Sequence, residues 1–174
     1  MSILIVALPR TGSTELGRSI SIKKKYQYGF EIFNPAANLP EISNFKNMVV
    51  KTIIFHIPKN IEEKNRLEWI TELAGKFDEV ILLSRKDLIA CAESWAYLLY
   101  KGEEKNFKSI DPYLWEKTPN YDMEYESIKR WNSEINYLSE KLNIPITYYE
   151  DIYNINDPKK LRKGDLINFK KKII

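Results

Sequence analysis

Pro9-Arg10-Thr11-Gly12-Ser13-Thr14 sets a guanidinium, a glycine and several hydroxyls in one short stretch, directly after the apolar run Ile3 to Leu8. An apolar strand that breaks into a Gly/Ser/Thr turn and opens a helix is a layout for holding an anion. Backbone N–H groups at the helix N-terminus point outward, and the helix dipole favours negative charge there. Gly12 is expected to let the backbone approach the anion with no Cβ in the way. Ser13 and Thr14 add hydroxyl donors, and Arg10 adds a fixed charge that can fork onto oxygens. The order differs from the Gly-x-x-x-x-Gly-Lys-Ser/Thr loop of nucleotide hydrolases, because the cation precedes Gly12 instead of following it. An ordinary strand-to-helix turn with a Ser/Thr cap is the alternative reading.

A second segment, Arg85-Lys86-Asp87 to Ser94, follows the apolar run Val80 to Leu83. An arginine leaving a strand end and a serine nine residues on, in the next helix, can both reach one anion. The competing reading is a helix cap at Asp87, an Arg85–acid pair and a solvated Ser94.

The elements that must position these groups alternate along the chain. Strands are expected at Ile3 to Leu8, Met48 to Ile57, Glu79 to Ser84 and Pro145 to Tyr149, with a short extended piece at Gly29 to Phe33. Helices are expected from about Ser13 to Lys24, through Leu67, Ile70, Ala74 and Phe77, and through Leu88, Ala92, Trp95 and Leu99. Ile128, Trp131, Ile135, Leu138 and Leu142 recur three and four apart, and Asp122 can cap that helix. Phe107 to Tyr121 reads as loop. The whole predicts an α/β fold in one domain over residues 1–174: a P-loop-like parallel sheet with helices on both faces. Ligands on such sheets sit beyond the carboxyl ends of the strands, where Arg10, Arg85 and Glu150 fall.

Composition narrows the function classes. The 174 residues suit one domain, and Cys91 and His56 are the only residues of their types. An intrachain disulfide is therefore impossible, and a Cys/His zinc site is not expected. No apolar run approaches a membrane span, and the N-terminal run lacks the features of a signal peptide, so a cytoplasmic protein is expected. The net charge of +3 hides a basic segment from about Asp157 onward, which contains Arg162 and Lys163, and a slightly acidic remainder. Without a broad basic surface, nucleic-acid binding ranks low and a small-ligand anion ranks higher.

The loop at Pro9 resembles the 5'-phosphosulfate loop of the PAPS-dependent sulfotransferase superfamily (PAPS is 3'-phosphoadenosine 5'-phosphosulfate). The Arg85–Ser94 segment resembles the stretch that grips the 3'-phosphate there, in a form most similar to the bacterial trehalose 2-sulfotransferase branch. That resemblance implies a sulfuryl transfer from PAPS to a hydroxyl or amine of a small-molecule or carbohydrate acceptor, leaving adenosine 3',5'-bisphosphate and needing no metal. It implies that Arg10, Thr11, Gly12, Ser13 and Thr14 cradle the phosphosulfate, with Arg10 also stabilising the leaving phosphate. Arg85 and Ser94, helped by Arg162 and Lys163 in an Arg-Lys-Gly stretch, would hold the 3'-phosphate. Glu31, in Gly29-Phe30-Glu31-Ile32-Phe33, matches the general base of that branch. His56, in His56-Ile57-Pro58 after Lys51-Thr52, resembles the Lys-Thr-His-Leu-Pro of cytosolic members with a three-residue insertion. His56 is thus the rival base, and Lys51 a candidate active-site cation. Tyr149-Glu150-Asp151 resembles a structural motif of the superfamily. Phe107, Tyr113 and Trp115 are either acceptor-facing rings or core. Two other readings remain: a P-loop kinase acting on a nucleotide or metabolite, and a non-catalytic binder of 3'-phosphoadenosine nucleotides.

Overall fold

A computed structural model describes residues 1–29, 31–34, 45–102 and 121–153. Its core is one five-stranded sheet, built from β1 (Ile3–Ala7), β2 (Gln27–Gly29), β3 (Met48–Ile53), β4 (Glu79–Ser84) and β5 (Ile146–Tyr148). The order across the sheet is β2-β3-β1-β4-β5, and every neighbouring pair is parallel. The α/β class expected from the alternating pattern is the one observed.

β1 is central and buried along its whole length. Side chains alternate across a strand, so Leu4, Val6 and Leu8 enter one core layer and Ile3, Ile5 and Ala7 the other. The first layer is closed by α2 (Arg66–Ala74), α3 (Leu88–Gly102) and α4 (Tyr121–Leu142). The second is closed by α1 (Ser13–Lys24) and α5 (Tyr149–Tyr153). Continuous apolar strands are what a sheet covered on both faces requires. In α4, Ile128, Trp131, Ile135 and Leu138 are all buried, as their spacing predicts.

Three expectations need correction. The extended piece near Gly29 lies earlier, at Gln27–Gly29, because Glu31 turns left-handed (φ 32°) and Asn34 N–H closes back on its carbonyl at 2.8 Å. β3 stops at Ile53, because the His56 N–H turns back to the Ile53 carbonyl at 2.8 Å. β5 ends at Tyr148, and Tyr149 begins the short α5. Phe107, Tyr113, Trp115, Arg162 and Lys163, with the basic segment that holds the last two, lie outside the described residues. Among the described residues, no helix is long and apolar enough to cross a membrane.

Candidate active site

The chain runs from β1 out to the sheet edge at β2, returns to β3 beside β1, then crosses to β4 on the other side. The strand order therefore reverses around β1, and the crevice at its carboxyl end is where open parallel sheets bind ligands. Arg10 to Thr14 occupy that position. Arg10 and Gly12 both have positive φ, 60° and 68°. A non-glycine residue in this region costs roughly 1–2 kcal/mol, so the loop holds Arg10 in a conformation that the rest of the fold must sustain. Part of the holding is visible: the Thr11 hydroxyl donates to the Leu8 carbonyl at 2.8 Å, and the buried Cys91 thiol of α3 donates to the Pro9 carbonyl at 3.2 Å. Burial pushes the Cys91 thiol up to about 12, which keeps it protonated as a donor. Gly12 is the N-cap of α1, and no side chain caps that end.

Packing gives a further reason for glycine at position 12. A Cβ there would meet Tyr149 Cε2 and the Tyr153 hydroxyl, each at 2.9 Å. Glycine is needed because α5 packs directly on the loop, and the Tyr153 hydroxyl donates to the Gly12 carbonyl at 3.2 Å. The Thr11 hydroxyl is committed to the turn, which leaves its backbone N–H as the donor it can offer a ligand.

Arg85 follows the last residue of β4 and is 8% exposed. Its Nη1 donates to the Arg10 carbonyl at 3.5 Å, and its guanidinium lies 5.0 Å from the Tyr149 ring centre. Glu150 stands 3.8 Å from Arg85 Nε and accepts the backbone N–H groups of Lys86 and Asp87 at 3.0 and 3.1 Å. Arg85 Nε is buried without a hydrogen-bond partner among the described residues. Asp87 caps α3 through the Ala90 N–H at 2.9 Å. The cap and the Arg85–acid pair of the competing reading are therefore both present. Ser94 is not merely solvated: its hydroxyl accepts Arg10 Nε at 2.8 Å. Arg85 and Ser94 meet through Arg10, one at its carbonyl and the other at its side chain.

Lys51 lies on β3 opposite Ile5, on the same face as Val49 and Ile53, which pack towards α1. Strand alternation thus sends it under the first turn of α1, where its Nζ donates to the Thr14 hydroxyl at 2.9 Å. The same ammonium is 2.5 Å from Glu31 Oε1 and only 3% exposed. Burial lowers the Lys51 pKa, and Glu31 opposes that shift. The other Glu31 oxygen faces His56 Nδ1 at 3.8 Å, beyond hydrogen-bond reach, and accepts Asn34 Nδ2 at 3.4 Å. Burial lowers the His56 pKa below 6.5, with Glu31 raising it and Lys51 lowering it. Burial thus favours the neutral imidazole.

Glu31 and His56, the two rival bases, belong to one cluster with Lys51 and Thr14. Tyr28 leans over this cluster, crossing α1 where Gly17 leaves room: a Cβ there would lie 2.5 Å from the Tyr28 ring. Beyond His56, Phe55 meets the imidazole edge-on at 4.7 Å and the rings of Trp131 and Trp95 at 4.5 and 5.5 Å. These rings and Tyr149 were not expected at the site; Glu150 was expected at that end of the sheet, but not its contacts with Arg85 and the start of α3. The spacing of Trp95 and Trp131 reads only as core, and nothing short-range links Glu150 to Arg85.

No protein-family model matches this chain, and no curated protein matches its sequence.

Proposed function

We propose that the chain is a sulfotransferase that takes a sulfuryl group from PAPS and delivers it to a hydroxyl or amine of a small-molecule or carbohydrate acceptor. The observation that carries this reading is the meeting of Arg10, Arg85 and Ser94 beside an α1 N-terminus that no side chain caps, next to the Lys51–Glu31–His56 cluster. Uncapped amides at a helix start, a forked cation and a half-buried carboxylate are the parts that anion-displacing transfer to a hydroxyl needs.

The side chains present fit a ligand with two separated anionic groups. Arg85 has a buried Nε with no hydrogen-bond partner among the described residues, beside an Arg10 that is itself exposed. The amides of Ser13 and Thr14 and the Thr14 hydroxyl would hold one anionic group, with Arg10 across from them. Arg85 and Ser94 would hold the other. The donor supplies an activated sulfuryl group whose bridging oxygen leaves with the 5'-phosphate. Arg10 would stabilise the charge that grows on that oxygen. Glu31 would take the acceptor proton as the new oxygen–sulfur bond forms. His56, neutral and 3.8 Å from Glu31, would orient the acceptor or share its proton. Cys91 is a buried free thiol, in keeping with a reducing compartment such as the cytoplasm.

Calorimetry with adenosine 3',5'-bisphosphate, beside ADP without magnesium, tests the reading. Selective binding of the bisphosphate is expected. Equal or absent binding of the two would overturn the assignment of Arg85 and Ser94. Magnesium-dependent preference for ATP would favour a kinase. Tight bisphosphate binding without transfer to any acceptor would favour a non-catalytic binder.

A further inference from the structure

Lys51 serves two masters. Its buried ammonium donates to Thr14, in the first turn of α1, and pairs with Glu31 in the turn after β2. An ammonium that is 3% exposed requires a counter-charge, and Glu31 provides it. Arg10 and Arg18 also repel Lys51, so three cations face this corner. An anion seated on the α1 N-terminus lies one hydroxyl away from the Lys51 ammonium.

We propose that Lys51 is a positioning residue that exchanges between Glu31 and the loop: it neutralises Glu31 in the free protein and turns to an anion bound at Ser13 and Thr14, which leaves Glu31 a stronger base. This rests on the anion site described above and deepens it. A salt-bridged carboxylate is a poor proton acceptor, because the cation favours its ionised form. Once the cation is shared with a second anion, that bias weakens and the proton affinity of Glu31 rises. The base would then be switched on only with the donor in place, which limits wasteful proton transfer in its absence.

His56 reports on this exchange directly, because it is the only histidine in the chain. The charged groups that act on its imidazole are Glu31, from the turn after β2, and Lys51, from β3. When Lys51 moves away and Glu31 is less neutralised, both changes raise the His56 pKa. The experiment is an NMR pH titration of the single imidazole, with and without saturating adenosine 3',5'-bisphosphate, in the wild type and in Lys51→Met. Binding is confirmed separately by calorimetry.

In the wild type, the midpoint should start below the ordinary histidine value and rise by about half a unit to one unit on binding. In Lys51→Met, it should start higher and rise by less than half as much, since only the direct field of the ligand remains. Should Lys51→Met fail to fold, Lys51→Gln replaces it; the amide can still donate to Glu31 without a charge. Binding with no movement of His56, or with an equal rise in wild type and variant, overturns the exchange and leaves the anion site standing. Absence of binding to the wild type overturns both.

Discussion

Arg10 Nε donates to the Ser94 hydroxyl at 2.8 Å, across 84 residues of sequence. The bond ties the loop after β1 to the second turn of α3, and Arg85 reaches the same residue from the end of β4. A charged side chain in the left-handed region is thus held at both its backbone and its tip. Ser94→Ala should leave Arg10 free to rotate. We expect a loss of about tenfold to a hundredfold in bisphosphate affinity, from one hydrogen bond to a charged group. Arg10 is exposed, so the melting temperature should move little. Paired calorimetry and thermal melts check both halves; an unchanged affinity would remove Ser94 from the site.

Gly12→Ala should act through packing, not through ligand exclusion. Its φ of 68° disfavours any Cβ, and that Cβ would sit 2.9 Å from Tyr149 and Tyr153. The backbone penalty alone is about 1–2 kcal/mol. Denaturant unfolding should show a loss at least that large. Adding Tyr153→Phe, which removes one of the two clashing atoms, should cost less in the Gly12→Ala background than in the wild type.

Glu150→Ala should loosen Arg85 with no direct contact to ligand. The carboxylate accepts the N–H groups of Lys86 and Asp87 and faces Arg85 Nε at 3.8 Å. Its removal leaves those amides to water and strands the buried guanidinium. A stability loss of about 2–4 kcal/mol is expected, with weaker bisphosphate binding in the folded fraction. Glu150→Gln, which keeps an acceptor, should lose less of both. Equal loss in the two variants would show that the charge on Arg85 is not what Glu150 serves.

Glu31→Gln should abolish transfer while sparing bisphosphate binding. It also leaves the Lys51 ammonium, 3% exposed, facing a neutral amide. A stability loss of about 3 kcal/mol is expected from removing one partner of a buried pair. Retained turnover would move the base to His56.

Stability should fall on acidification through His56. Its pKa is lowered in the fold by burial, so the unfolded chain binds more protons between the folded value and about 6.5. Stability therefore rises with pH across that window and is level above it, as far as this residue is concerned. His56→Gln should flatten that part of the curve. Melting temperatures of the two proteins between pH 5 and pH 7 make the comparison; parallel curves would show that the imidazole is not buried in its neutral form.

Much of the scaffold is legible in the sequence because its signals are local. β4 and α1 run as the apolar pattern and the Gly-Ser-Thr turn suggest, and α4 buries the residues that its spacing selects. The site is legible only in part, because its contacts span long separations. Lys51 reads as a candidate active-site cation, but only the fold brings it beneath Thr14 and against Glu31. Glu31 itself lies in a turn, not on a strand, since its positive φ depends on the closure by Asn34. Glu150 is visible as part of a motif, but its hold on the start of α3 depends on β5 lying beside β4.

The seat of Gly12 on Tyr149 and Tyr153 has a consequence for how the protein comes into being. The rings that close against the loop are made more than a hundred residues after it. β5, paired with the edge of β4, leads directly into α5, which carries those rings. The turn after β1 therefore takes its final shape only after Tyr149 and Tyr153 have been made, and a nascent chain that stops short of Tyr149 carries the Pro9–Thr14 sequence without the packing seen around it.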